Sequence, residues 1–295
     1  STKAPLVSPA LVNPTINGIA QSGYSGFKNL LINGGFNIWQ RGNGSFGSGT
    51  YCADRWLVTG SAPNVDRDVS IERLVLSSAS STYCGIQQRI EGGQNLSGKE
   101  VTISFLKSTS IATSSGYITI RPKKISDGTS LGTSISMTFD NSIGSGSVAL
   151  TATMPTFTHS PFDIMIEVII SLTSATAEAC NTSFSNIQLE EGSVATPFEQ
   201  RPYGLELSLC QRYYEVQDTP TMGLSNYNSW ANESQGRIPW KVAKRVPPTV
   251  SGYTVHNGNL IASGFGVYSA YFAMNWTSGN SASISGYLLA DAEIY

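Results

Sequence analysis

At 295 residues the chain has room for two domains, and a hydrophobic share of 40% against only 13% charged residues leaves Ser, Thr, Asn and Gly to solvate the surface. Such a mix favours β-structure broken by many turns. The formal net charge of −2 and the lack of any basic run exclude an electrostatic nucleic-acid binder, which needs clustered cations to displace counterions from phosphate.

The longest apolar run, residues 164–172, contains Glu167 and falls far short of the roughly 20 residues of a spanning helix, so no membrane insertion is expected. The chain opens on Ser1 rather than Met, which leaves a longer parent and export undecided. Cys52, Cys84, Cys180 and Cys210 show neither CxxC nor ligand-like spacing. Free, buried thiols are the expectation, with a disulfide pairing left open.

Residues 1–27 hold Pro5, Pro9 and Pro14 among Leu6, Leu11, Ile16 and Ile19, without a helical stripe. They read as an extended arm: either a disordered tail or a stalk that packs against its copies in an oligomer. From Asn29 the chain reads NLLINGGFNIWQRG to Gly42, then a Gly/Ser loop, then YCADRWL from Tyr51 to Leu57. This pair resembles the opening of the sandwich domain found in many bacteriophage tail-fibre and tail proteins. Trp39 and Trp56 are read as core aromatics, with Arg41, Asp54 and Arg55 pairing around them; sugar stacking on the tryptophans is the alternative. Gly42 to Gly47 meets the GxGxxG spacing, but no helix follows it, so no nucleotide site is expected.

Alternating runs at 71–76, 83–90, 101–106, 117–120, 134–139 and 148–153 read as strands. The strongest is 163–172, where Ile164, Ile166, Val168, Ile170 and Leu172 share a core face and Met165, Glu167, Ile169 and Ser171 share a partly solvated one. Phe184, Ile187 and Leu189 close the set. About eight to ten short strands predict an all-β fold, an antiparallel jelly-roll-like sandwich of the carbohydrate-binding-module type.

Residues 185–215 form a seam. ATPFEQRPYG from Ala195 and GLELSLCQRYYE from Gly204 again resemble phage tail proteins, with Arg212 and Tyr213 in the matched motif. The apolar distribution over 205–216 predicts a connecting helix buried on most sides, with Ser208, Gln211, Arg212 and Glu215 on a narrow polar face. Such a joint is a poor place to expect a ligand. A smaller β-domain follows, with strands near 236–243, 245–253, 267–276 and 286–295. Pro247 and Pro248 belong at a strand start or sheet edge, and PTVS and ADAEI in this block resemble the ends of the same tail proteins. The expected division is an arm at 1–27, a sandwich at 28–200, a connecting segment at 201–217 and a C-terminal domain at 218–295.

Chemistry is hard to find. His159 beside Ser160-Pro161 and His256 before Asn257-Gly258 read as loop residues, and GxSxG, HExxH and Cys/His clusters are missing from the sequence. Asp66 with Asp68 falls short of a calcium ligand set, and Glu190-Glu191 reads as a turn. Neither a catalytic residue, a metal site nor a cofactor is expected. For binding, Tyr227, Asn228, Trp230 and Asn232 combine aromatic faces with amides, as a neutral sugar requires, and Trp276 is a second candidate; packing within a strand is the competing reading. The resemblance implies a homotrimeric receptor-binding protein of the virion tail, assembled in the bacterial host cytoplasm, with host-surface glycan and other tail proteins as partners. A structural tail connector or decoration protein, a glycan depolymerase and a non-viral carbohydrate-binding module are the alternatives.

Overall fold

A computed structural model describes residues 15–16, 19–20, 27–61, 63–113, 115–223, 225–228, 233–276 and 283–294. Within the arm, β1 (Thr15–Ile16) pairs with β2 (Ile19–Ala20); the rest of the arm before Phe27 lies outside the described residues.

The sandwich comprises β3 (Leu57–Gly60), β4 (Asn64–Asp68), β5 (Arg73–Glu91), β6 (Glu100–Ile111), β7 (Ser115–Lys124), β8 (Ile135–Phe139), β9 (Gly144–Thr153) and β10 (Ile164–Glu191). Every pairing is antiparallel. The two long strands run beside each other through both layers: residues 83–91 pair with 165–173, and residues 74–78 with 180–184. One layer therefore runs β8-β7-β10-β5-β3 and the other β9-β6-β10-β5-β4. This jelly-roll-like arrangement follows from β10, whose first half satisfies the alternation seen in the sequence: Ile164, Ile166, Val168, Ile170 and Leu172 all enter the core between the layers. Each such side chain contributes about 1.5–3 kcal/mol by leaving water. Across the core Phe105 of β6 meets Phe139 of β8 edge-on at 5.3 Å, joining the layers.

The opposite face of β10 departs from the expectation. Met165, Glu167, Ile169 and Ser171 are all buried, because Tyr213 and Ile294 pack on Met165 and Arg89 and Arg121 fold over Glu167. Glu190 and Glu191 end β10 rather than making a turn, and Glu190 accepts from the backbone N–H and the hydroxyl of Thr196.

The connecting helix α1 covers Tyr203–Gln211, not 205–216, and it is not buried on most sides: Tyr203 is 63% exposed, and of its residues only Cys210 and Gln211 are buried. From Tyr214 the chain instead pairs with the C-terminal strand. Tyr213-Tyr214 and Val216 suit a strand as well as a helix, and the ladder offered by a distant strand decides between them.

The C-terminal domain holds β11 (Tyr214–Gly223), β12 (Ser225–Asn228), β13 (Glu233–Pro239), β14 (Thr249–His256), β15 (Gly258–Phe265), β16 (Ser269–Trp276) and β17 (Ser283–Asp291). They form two sheets, β11-β17-β14 and β12-β13-β16-β15. Ile284, Leu288 and Ala290 of the first face Phe272 and Met274 of the second, and Tyr253 meets Phe272 edge-on at 5.1 Å. Pro247 and Pro248 precede β14, an edge strand, where a missing N–H costs least.

Candidate functional site

The residues of the two opening motifs converge on a buried ionic joint between the domains. Asn29 and Asn33 act as structural amides: Asn29 donates to the carbonyl of Ile187 and accepts from the N–H groups of Leu31 and Leu189, while Asn33 donates to the carbonyls of Ile38 and Asp54. Trp56 is fully buried and donates its indole N–H to Asn33, as a core aromatic should.

Arg55 sits at φ 73°, in the left-handed region where a non-glycine residue is strained by about 1–3 kcal/mol. Its surroundings hold it there. The guanidinium pairs with Glu293, donates to the carbonyl of Arg89, and lies 3.4 Å from the centroid of Tyr213. Arg41 is shared among Asp54 at 3.8 Å, Asp291 at 3.7 Å and Glu293 at 3.5 Å. Burial pushes the Asp54 carboxyl up to about 6, against the pull of the Arg41 charge and of two hydrogen bonds from Gln40. Gln40 also donates to the carbonyl of Tyr214 and accepts from the N–H of Val216. Arg212 and the Tyr213 hydroxyl both donate to Glu91. Deeper still, Lys244 and Glu215 form a fully buried pair.

Beside this joint lies an open groove of about 910 Å³. Its floor and walls come from the 35–40 segment, the β4–β5 turn, Leu106, Ser185-Asn186, and the seam at Phe198, Gln200 and Tyr203. Trp39 is mostly buried in its wall, its indole N–H donated to the carbonyl of Phe36; the sequence reading of a core aromatic holds for its anchoring, yet one edge lines the groove. The guanidinium of Arg67 lies 5.8 Å from the Trp39 ring centroid and is itself held by Asn43 and Glu72. Asn37, Gln200 and Tyr203 are exposed, and Asn186 at φ 55° turns the backbone beneath them. Aromatic faces, amides and paired charges can stack on a ligand and share hydrogen bonds with it. The groove volume falls in the range of about 300–1,000 Å³ typical of ligand sites.

Of the residues singled out in the sequence, Arg41, Asp54, Arg55, Trp56, Arg212 and Tyr213 all belong to the joint. Trp230 and Asn232 lie outside the described residues, as do the side chains of Tyr227, Asn228 and Trp276; the backbone puts Asn228 on the edge strand β12 and Trp276 at the end of β16. The groove residues Asn37, Asn186, Gln200 and Tyr203 escaped sequence reasoning, since single polar residues in turns carry no period. The seam, read as a poor place to expect a ligand, forms one wall of the groove.

Asp66 accepts from Ser45 and Asn64, and Asp68 from Ser70. No group of three or more His, Cys, Asp or Glu suited to a metal occurs among the described residues. His159 pairs with Asp163 at 2.9 Å. His256 is the last residue of β14 rather than a loop residue, and its ring meets the Ser285 hydroxyl at 2.6 Å on an exposed face.

No protein-family model and no curated protein matches the chain. Among solved structures it is similar to the enzymatically active domain of tailspike protein 4 of bacteriophage CBA120 (17% identity, TM-score 0.38, covering 56% of this chain and 22% of that one). It is also similar to an arabinose-bound α-L-arabinofuranosidase, MgGH51 (13% identity, TM-score 0.39, covering 57% of this chain and 27% of that one). A third likeness is to the family 11 carbohydrate-binding module of a cellulosomal cellulase of Clostridium thermocellum (12% identity, TM-score 0.34, covering 53% of this chain and 99% of that one). The chain thus spans under a third of the length of the first two. Its own strand order defines an all-β protein in which a jelly-roll-like sandwich is joined by one helix to a smaller β-domain.

Proposed function

We propose that the chain is a receptor-binding protein of a bacteriophage tail, homotrimeric in the virion and assembled in the host cytoplasm, which holds host-surface polysaccharide in the groove. The observation that carries the binding reading is the lining itself: the edge of Trp39 and the exposed Tyr203 ring beside the amides of Asn37, Asn186 and Gln200. Sugar rings present an apolar face and a rim of hydroxyls, which these groups match. Three copies of one shallow site would add avidity without further contacts. The tail assignment is supported by the two opening motifs and the seam. Tyr227, Asn228, Trp230, Asn232 and Trp276 remain a proposed second sugar-binding surface.

Binding to host cells and to a glycan array is the test, with Tyr203→Ala and Trp230→Ala beside the parent. Loss of a stacked ring should weaken binding about tenfold. Full binding by Tyr203→Ala would remove the groove from consideration, and a loss in Trp230→Ala alone would move the site to the C-terminal domain. Oligosaccharide release from host capsule would make the chain a depolymerase. Binding to assembled tails without binding to cells would make it a connector, and a monomeric mass in solution would end the trimer proposal.

A further inference from the structure

Cys84 and Cys180 are each 2% exposed, and their sulfurs lie 3.1 Å apart. The contact comes from the place where β5 and β10 pass between layers. Cys84 is opposite Leu172 in one layer, and Cys180 opposite Ser78 in the other. They are not ladder partners. Register shifts between Thr173 and Glu178, and between Glu178 and Cys180, slide β10 along β5 and carry both thiols to the inner side of the corner, in the common core.

The geometry points to a redox-closed cross-link: Cys84 and Cys180 join as a disulfide when the protein folds or breathes in the presence of a disulfide-containing oxidant such as oxidised glutathione. One cysteine thiolate attacks a sulfur of the oxidant, whose S–S bond breaks and releases one glutathione thiolate. The second cysteine then gives up its proton and displaces the other glutathione, forming the Sγ–Sγ bond. Two cysteine thiols are oxidised, one glutathione disulfide is reduced, and both protons end on the glutathione thiols or in solvent. Either sulfur can donate to the other across the 3.1 Å contact, so whichever thiolate forms first when the corner opens attacks the oxidant, and the other is placed to close the bond. Cys52 is a poor competitor, since burial pushes its thiol up to about 12 and its sulfur faces the carbonyl of Trp56.

Closure would tie residues 96 apart in the chain, across most of the sandwich. Such a long loop restricts the unfolded chain far more than the folded one. A sandwich made in a reducing cytoplasm would become more resistant after meeting an oxidising medium. The inference is independent of whether the groove binds a glycan.

The full chain is unfolded under reducing conditions and refolded in a glutathione redox buffer, with a reduced control. The expected result is a fall from four titratable thiols to two, an intact mass lower by two hydrogens, and a mapped peptide joining Cys84 to Cys180. The thermal midpoint should rise and return on addition of a reductant. Cys84→Ser and Cys180→Ser, refolded in the same way, should keep three thiols and show no redox-dependent shift. Four free thiols in folded, refolded parent, or a linkage that uses Cys52 or Cys210, would overturn the proposal.

Discussion

The guanidinium of Arg41 lies over the ring of Tyr214, with Cζ 3.5 Å from the ring centroid. Arg41 belongs to the first motif of the sandwich and Tyr214 opens the first strand of the C-terminal domain, so this contact is one of those that couple the two. Both terminal nitrogens of Arg41 are buried without a close hydrogen bond; the charge is held by three carboxylates at 3.5–3.8 Å and by the ring.

Removing that charge leaves Asp54 and Glu293 buried with less compensation. Arg41→Ala should destabilise the protein by about 3–5 kcal/mol in chemical denaturation. Arg41→Lys should recover only part, because an ammonium cannot lie flat on Tyr214 while reaching several carboxylates. A lysine variant as stable as the parent would show the stacking to be incidental.

Asp54 makes a pH prediction. Its carboxyl, raised to about 6 by burial in the folded chain, has an unfolded value of about 3.9. The folded state thus binds the proton more tightly. This contribution is fully present below about pH 4 and is lost as pH rises through about 6. Asp54→Asn stays neutral throughout, so its stability relative to the parent should improve by about 2–3 kcal/mol between about pH 4 and pH 7. Urea titrations across that range supply the comparison, and a constant difference between the two proteins would refute it. The charged groups facing Asp54 are Arg41 and Glu293, both retained in the variant.

The close approach of β10 explains the first glycine of the pair in the first motif, Gly34. A Cβ there would lie 2.0 Å from the carbonyl oxygen of Ile187 on β10, and Gly34 itself accepts from the Ile187 N–H at 2.9 Å. The two backbones are in direct contact, so Gly34→Ala should cost about 3 kcal/mol. Gly35→Ala, whose Cβ would meet only side-chain atoms at 3.5 Å or more, should cost far less. Thermal denaturation of the pair gives the ranking.

Trp39 and Tyr203 line the same groove but should respond differently. Trp39 is 8% exposed and packs in the core, so Trp39→Ala should cost about 3–5 kcal/mol of stability. Tyr203, largely exposed, should lose less than about 0.5 kcal/mol on truncation. Glycan binding by Tyr203→Ala at an unchanged thermal midpoint therefore isolates recognition from folding.

Much of the sandwich was legible because alternation is local. Ile164 to Leu172 announces a strand through its own period, whatever pairs with it, and Pro247-Pro248 announces an edge because a proline cannot donate. The seam was harder to read. Leu205 to Val216 is apolar enough for a helix or a strand, and the helix stops at Gln211 because Tyr214 finds β17, a strand more than 60 residues away in sequence. The solvated face expected for Met165 and Glu167 failed for the same reason: its cover arrives from Tyr213 and Ile294.

By itself the sequence determined an all-β chain of alternating strands, the core roles of Trp56 and Ile166, and the motifs that resemble phage tail proteins, while the short runs at 71–76 and 83–90, and at 163–172 and 184–189, join into the long strands β5 and β10. Periodicity and composition are properties of neighbours along the chain, and they survive without a fold. Only the tertiary structure decided that Arg55 meets Glu293 across 238 residues, that the motif charges build a joint, and that Tyr203 and Asn186 share a groove. Such contacts arise where separate strands and turns happen to converge, and convergence leaves no period in the sequence to read.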